Sequence, residues 1–130
     1  MEKRIRFIIN KSEITAGTRG ASLGPEAVKV AARSLGKSIF KEIPSTYLED
    51  KNDLLDEQPK LAHAKYIEGA IEVYEQLEIA IKDCVVNNEI PIVIAGDHGS
   101  AGGTIAGLKA ANRDKRIGVV WIDAHGDVHT

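Results

Sequence analysis

The chain has 130 residues, 43% hydrophobic and 28% charged, the balance of one globular domain with a buried core rather than of a disordered chain. A formal net charge of −2 excludes the broad basic surface that nucleic acid or an acidic membrane demands, so neither is expected as a partner. Cys84 is the only cysteine, which leaves no internal disulfide and points to a reducing cytoplasm with Cys84 as a small core residue. The start, "MEKRIRFIIN", lacks the apolar stretch of a signal peptide, and no segment reaches the roughly 20 apolar residues of a membrane span.

Ile5 to Ile9 form a short apolar run bounded by Asn10 and Lys11, which predicts a first strand. "SEITAGTRGASLG" is rich in Gly, Ser and Thr and reads as a loop needing unusual backbone angles, able to shape a pocket. A helix follows, with Pro25 in its first turn, Glu26 at its positive end and Gly36 as its stop. Ala27, Val28, Val30, Ala31 and Leu35 give that helix a broad apolar face. "SIFKEI" is expected to be a second strand, and residues 44–59, polar and bounded by prolines, an irregular connection.

A long helix is predicted from Leu61 to about Asn87, because Ile67, Ile71, Tyr74, Leu77, Ile81 and Val85 recur at spacings of three and four. His63 falls in its polar start and is expected to be solvated. "IPIVIAG" is continuous and β-branched, as suits a parallel strand buried on both faces. "GSAGGTIAGLKAA" then reads as a small-residue helix, and "RIGVVWID" as another buried strand with Trp121 in the core.

Strands alternating with helices imply an α/β fold with a mainly parallel sheet. Such sheets bind ligands beyond the carboxyl ends of their strands. Two polar clusters fall there: Asp97 and His98 after "IPIVIAG", and Asp123, His125, Asp127 and His129 after "GVVWI". In an extended chain alternate side chains point the same way, so Asp123, His125 and Asp127 converge and His129 continues the row. His98 joins them if the two strands are neighbours.

One Asp or His at a strand end is ordinarily a cap or a turn residue. Asp-x-His-x-Asp together with a second strand-end Asp-His favours a metal instead. The mixed carboxylate and imidazole set suits Mn²⁺ best, with Fe²⁺, Co²⁺, Ni²⁺ and Zn²⁺ remaining open. "GDHGSAGGT" also admits a phosphate-cradling turn at a helix N-terminus, although it lacks the Gly-Lys-Ser/Thr ending of a P-loop.

"AGDHGSAGGTIAG" resembles the Gly-Gly-Asp-His-Ser signature of the arginase/agmatinase (ureohydrolase) family, and "WIDAHGDVHT" resembles its Asp-Ala-His-x-Asp signature. "TRGASLGPEAV" is similar to the family's Gly-Pro segment leading into its first helix. The nearest resemblance is to bacterial arginase-like proteins. It implies a three-layer α/β/α fold with a mainly parallel sheet. It further implies two Mn²⁺ per complete site, with His98 and Asp127 on the first ion, Asp123 bridging both and His125 on the second. Members use a hydroxide held between the ions to attack a guanidinium carbon and release urea. A guanidinium is a poor electrophile, and metal activation supplies the strong nucleophile it requires at neutral pH.

Gly99 stands in the place of the signature's serine. His129 stands where typical arginases carry an asparagine touching the amino-acid end of the substrate, so His129 is the substrate-contact candidate and arginine specificity stays open. Family members are roughly twice as long, and their second half carries another Asp-x-Asp metal pair, for which Asp50 and Asp53 lack both spacing and strand context. The resemblance therefore implies that residues 1–130 are the N-terminal half of a single arginase-like domain, with the proton shuttle beyond Thr130, and that this fragment alone is inactive. The full-length form is expected to be a cytoplasmic homo-oligomer acting on a small guanidino substrate. The alternatives are an agmatinase or other guanidino or formimino hydrolase, or a non-catalytic truncated metal-binding module.

Overall fold

The computed structural model describes residues 3–126. Three parallel strands, β1 (Arg4–Asn10), β2 (Ser45–Tyr47) and β3 (Glu89–Ala95), form a sheet in the order β2-β1-β3. The apolar run of β1 makes it the central strand, with Phe7, Ile8 and Ile9 all buried. It pairs with β2 from Phe7 opposite Ser45, and with β3 from Arg4 opposite Glu89 to Asn10 opposite Ala95.

Helices α1 (Gly24–Ser34) and α2 (Ile39–Glu42) connect β1 to β2, and α3 (Ile67–Val86) connects β2 to β3 on the far side of β1. Right-handed crossovers running in opposite directions place these connections on opposite faces. α4 (Ser100–Ala111) packs beside α3, completing three layers.

The core lies between the sheet and α3. Ile8 meets Val73, Leu77, Ile81 and Cys84, all at spacings that share one side of the helix, with Val93 and Leu108 packed against them. Leu77 and Ile81 are 0% exposed, and truncating one such side chain to alanine costs about 2–5 kcal/mol. On the opposite face Phe40 of α2 stacks on Phe7, with ring centroids 4.8 Å apart.

Several elements differ from the sequence reading. "SIFKEI" holds the short helix α2 instead of a strand, because Phe40 reaches the sheet by stacking on Phe7 without joining it. The strand comes after Pro44, whose carbonyl accepts from Phe7 N–H, inside the stretch expected to be irregular. The long helix begins at Ile67 rather than Leu61, after Tyr66 in the left-handed region at φ 56°. His63 is exposed, outside any helix.

The buried stripe of α3 is Ala70, Val73, Leu77, Ile81 and Cys84, whereas Ile67 and Ile71 face outward. The apolar face expected of α1 is not covered: Val28, Val30 and Leu35 are exposed. The buried residue of α1 is Pro25, and Lys29 reaches toward β2, 2.7 Å from the Tyr47 hydroxyl and 4.5 Å from the centre of its ring. Residues 117–122 form no strand among the described residues, and Val120 and Ile122 are 88% and 94% exposed. Their backbone finds no ladder partner, and an open groove of about 490 Å³ separates them from Val93 and Ala95 of β3. No described helix is long and apolar enough to cross a membrane.

Candidate metal centre at the carboxyl ends of the strands

Parallel pairing puts the ends of β1 and β3 side by side, and Asn10 and Ala95 are partners in register. The turn after β3 is tied to the loop after β1 through Asp97. Its Oδ2 accepts from the Ser12 hydroxyl (3.3 Å) and from Thr15 N–H (3.1 Å). Its Oδ1 accepts from the Ser100 hydroxyl (2.9 Å) and Ser100 N–H (3.3 Å). The Ser100 hydroxyl in turn accepts from Asn10 Nδ2 at 2.7 Å, and Asn10 Oδ1 accepts from Ser12 N–H. Asn10, Ser12 and Ser100 are all buried, so each needs these partners.

The loop following β1 carries its own buried anchor. Glu13, 1% exposed, accepts from the N–H groups of Gly20 (2.8 Å) and Ser22 (2.7 Å), and the bonds from Ser22 hold its carboxyl below the usual glutamate range. Gly17 and Gly20 take the positive φ values, 66° and 113°, that the loop was expected to require. Glu13, like the Asn10–Ser12–Asp97–Ser100 network, went unnoticed in the sequence. The available signal was a run of small polar residues directly after a predicted strand.

The same network bears on the phosphate-cradle reading of "GDHGSAGGT". Ser100 N–H at the start of α4 is taken by Asp97, and Ala101 N–H by the His98 carbonyl. A carboxylate of the chain already faces the helix end, which disfavours a phosphate there.

Asp97 thus holds the turn, and the next residue, His98, faces outward from it. Three of the predicted ligands come together. Asp123 Oδ2 lies 3.2 Å from His98 Nδ1, and Asp123 Oδ1 lies 3.1 Å from His125 Nδ1 while accepting from His125 N–H at 2.8 Å. The hydrogen bond from the His125 backbone N–H is the main influence holding the Asp123 carboxyl below its usual range, joined by the His125 ring and the nearby His98 imidazole. The Asp123 side chain is 16% exposed, against 49% for His98 and 81% for His125. Trp121 is not in the core as expected; it stacks on the His98 ring at 4.8 Å between centroids. Asp127 and His129 lie outside the described residues.

One carboxylate between two imidazoles offers hard and borderline donors with no thiolate, a chemistry that fits Mn²⁺. Among the described residues no group of three His, Cys, Asp or Glu side chains is arranged to hold an ion, and both Asp123 oxygens face imidazole nitrogens. Cys84, on α3, is buried in the core cluster with Ile8.

The fold is a parallel α/β/α layering with Asp and His side chains gathered beyond the strand ends, where α/β sheets bind ligands. The model of the arginase family matches residues 7–130, and the chain belongs to that family. It is 31% identical to the arginase of Brevibacillus brevis over all of its own length and 43% of that protein's. It is likewise 31% identical to a formimidoylglutamase of Chromobacterium violaceum, over 86% of this chain and 32% of that one. The crystal structure of arginase from Bacillus caldovelox superposes with a TM-score of 0.74 at 28% identity, covering 99% of this chain and 43% of that chain. The chain therefore spans less than half the length of the relatives it matches.

Proposed function

We propose that the chain is the N-terminal part of an arginase-like metallohydrolase acting on a guanidino substrate, with L-arginine, cleaved to ornithine and urea, as the leading candidate. The observation that carries this reading is the convergence of His98, Asp123 and His125 beyond the ends of parallel strands in a chain of this family. His98, Asp123, His125 and Asp127 would hold two manganese ions, and manganese there supplies Lewis-acid activation of water.

The chain's own residues have distinct tasks. Asp97 fixes the turn that presents His98, Trp121 supports the His98 ring, and Asp123 orients both imidazoles through their Nδ1 atoms. His129 would meet the substrate's far end. The formimidoylglutamase relative supports a formimino substrate as the second reading. A cytoplasmic homo-oligomer is the proposed working form, by analogy with the family.

Two measurements test the proposal. Manganese titration of the chain, followed by electron paramagnetic resonance, should show binding that Asp123→Asn abolishes. The complete product of the gene, assayed with arginine, agmatine and formiminoglutamate, should release urea from arginine in a manganese-dependent manner. Release of formamide from formiminoglutamate alone would select the second reading, and no turnover with any of the three would refute both.

A further inference from the structure

We propose that Thr15 is a positioning residue for His98, and that it is the reason position 99 holds glycine in place of the serine of the family signature. This rests on the reading of His98 as a site residue. Thr15 lies on the loop after β1, and its N–H is bound by Asp97, the residue directly before His98. Its side chain stands against Gly99, the residue directly after His98. A Cβ built at Gly99 would come within 2.8 Å of both Thr15 Cβ and Cγ2, and closer still to Oγ1. Thr15 thus touches the His98 turn on both flanks, through its backbone on one side and its side chain on the other.

Thr15 is itself exposed, but the backbone flanking it and the His98 turn allows little retreat. On the far side of Asp97, a Cβ at Gly96 would meet the Ser12 carbonyl oxygen at 2.5 Å, so backbone packs against that glycine. Asn10, Ser12 and Ser100 are buried and mutually bonded, and the Glu13 carboxylate secures the chain on the other side of Thr15 through Gly20 and Ser22. A side chain at position 99 must therefore displace either Thr15 or the turn carrying His98. Moving that turn changes the approach of His98 Nδ1 to Asp123, now 3.2 Å, and the stacking on Trp121.

A hydroxyl is present beside the turn at the next position. Ser100, buried and bonded to Asp97 and Asn10, secures the turn while Gly99 makes room for Thr15.

A double-mutant cycle on the 130-residue chain tests this, with thermal unfolding, the histidine ring resonances and Mn²⁺ affinity as readouts. Gly99→Ser alone should shift the His98 ring signals, lower the melting temperature and weaken Mn²⁺ binding about tenfold. Thr15→Gly added to Gly99→Ser should bring all three back close to the parent, within about threefold for Mn²⁺. Thr15→Ala should rescue only in part, because its Cβ still crowds position 99.

Equal effects of Gly99→Ser with threonine or glycine at position 15 would overturn the proposal, as would a Gly99→Ser chain indistinguishable from the parent. If Gly99→Ser prevents folding, recovery of folded protein in the Thr15→Gly background supports the coupling and its failure refutes it. Should the parent chain bind no Mn²⁺, melting temperature and ring resonances still decide the role of Thr15.

Discussion

Arg6 on β1 and Glu89 on β3 close the amino end of the sheet, with Nε 2.6 Å from Oε2 and Nη2 3.1 Å from Oε1. The pair is a fork meeting a carboxylate across neighbouring strands, with the Glu89 side chain 6% exposed and that of Arg6 32%. Arg6 holds the Glu89 carboxyl below the usual glutamate range. A depressed carboxyl pKa stabilises the fold at pH above the unfolded value, about 4.3, and that contribution disappears as pH falls through the folded value.

Glu89→Gln should therefore cost about 2 kcal/mol at neutral pH, since it strands a partly buried guanidinium. The difference between variant and parent should shrink as pH drops below about 4.3. Urea denaturation midpoints at neutral pH and near pH 3.5 measure both. A difference that stays constant across that range would remove the ion pair from the account.

Much of this arrangement was legible in the sequence, and the limits of that reading have physical causes. The runs at 5–9 and 90–95 announced strands, and the period of three to four announced α3. Burial on both faces holds for Phe7, Ile8 and Ile9 of β1, whereas Ile90 and Ile92 of β3 are exposed, so that part of the reading of "IPIVIAG" is corrected. "SIFKEI" misled because alternation cannot distinguish a strand from one helical turn whose aromatic residue reaches the sheet sideways. "GVVWI" has the composition of a buried strand, yet strand formation needs a neighbour to complete its hydrogen bonds, and none of the described residues provides one. At the site, the residue types singled out His98, Asp123 and His125, which lie side by side, but the extended strand expected to align them does not form among the described residues. The Asp97 network remained hidden, because hydrogen bonds among Asn10, Ser12 and Ser100 depend on which strand ends lie side by side.

A second prediction concerns α4, where Gly103 and Gly107 face α3. A Cβ at Gly103 would come within 2.7 Å of Leu77 Cβ and 2.8 Å of the Tyr74 carbonyl oxygen. At Gly107 it would meet Ile81 Cβ at 2.6 Å and the Glu78 carbonyl oxygen at 2.7 Å. Glycine to alanine normally gains about 1 kcal/mol in a helix interior, whereas overpacking costs about 1–3 kcal/mol. Because backbone atoms of α3 cannot move aside cheaply, Gly103→Ala and Gly107→Ala should both lower stability. Gly102→Ala, whose nearest contact is Tyr74 Cε2 at 3.5 Å, should leave it unchanged or raise it. Melting temperatures of the three variants rank them directly, and a stabilising Gly107→Ala would mean the helices are looser than described.

Cys84 allows a third prediction. It is 2% exposed, on the face of α3 that packs in the core with Ile8, and burial raises its thiol pKa. A thiol reagent added to the native chain at neutral pH should react only at the rate of unfolding, and rapidly once urea unfolds the protein. Fast native labelling would contradict the core packing.

The final prediction separates the roles of Asp123 and His98. Asp123 faces two imidazoles, one through each oxygen, so replacing it disturbs both at once, whereas removing His98 leaves the Asp123–His125 contact in place. Asp123→Asn preserves shape while losing the charge and one oxygen acceptor, so neither imidazole keeps its ionic partner. Manganese affinity should fall at least about 100-fold, and activity of the complete gene product should be lost without rescue by added Mn²⁺. His98→Ala should cost about tenfold in affinity, with excess Mn²⁺ restoring part of the activity. Turnover against Mn²⁺ concentration, with bound metal counted per chain, compares the two variants directly. An Asp123→Asn protein that binds two ions and turns over normally would show that Asp123 serves only to orient the histidines.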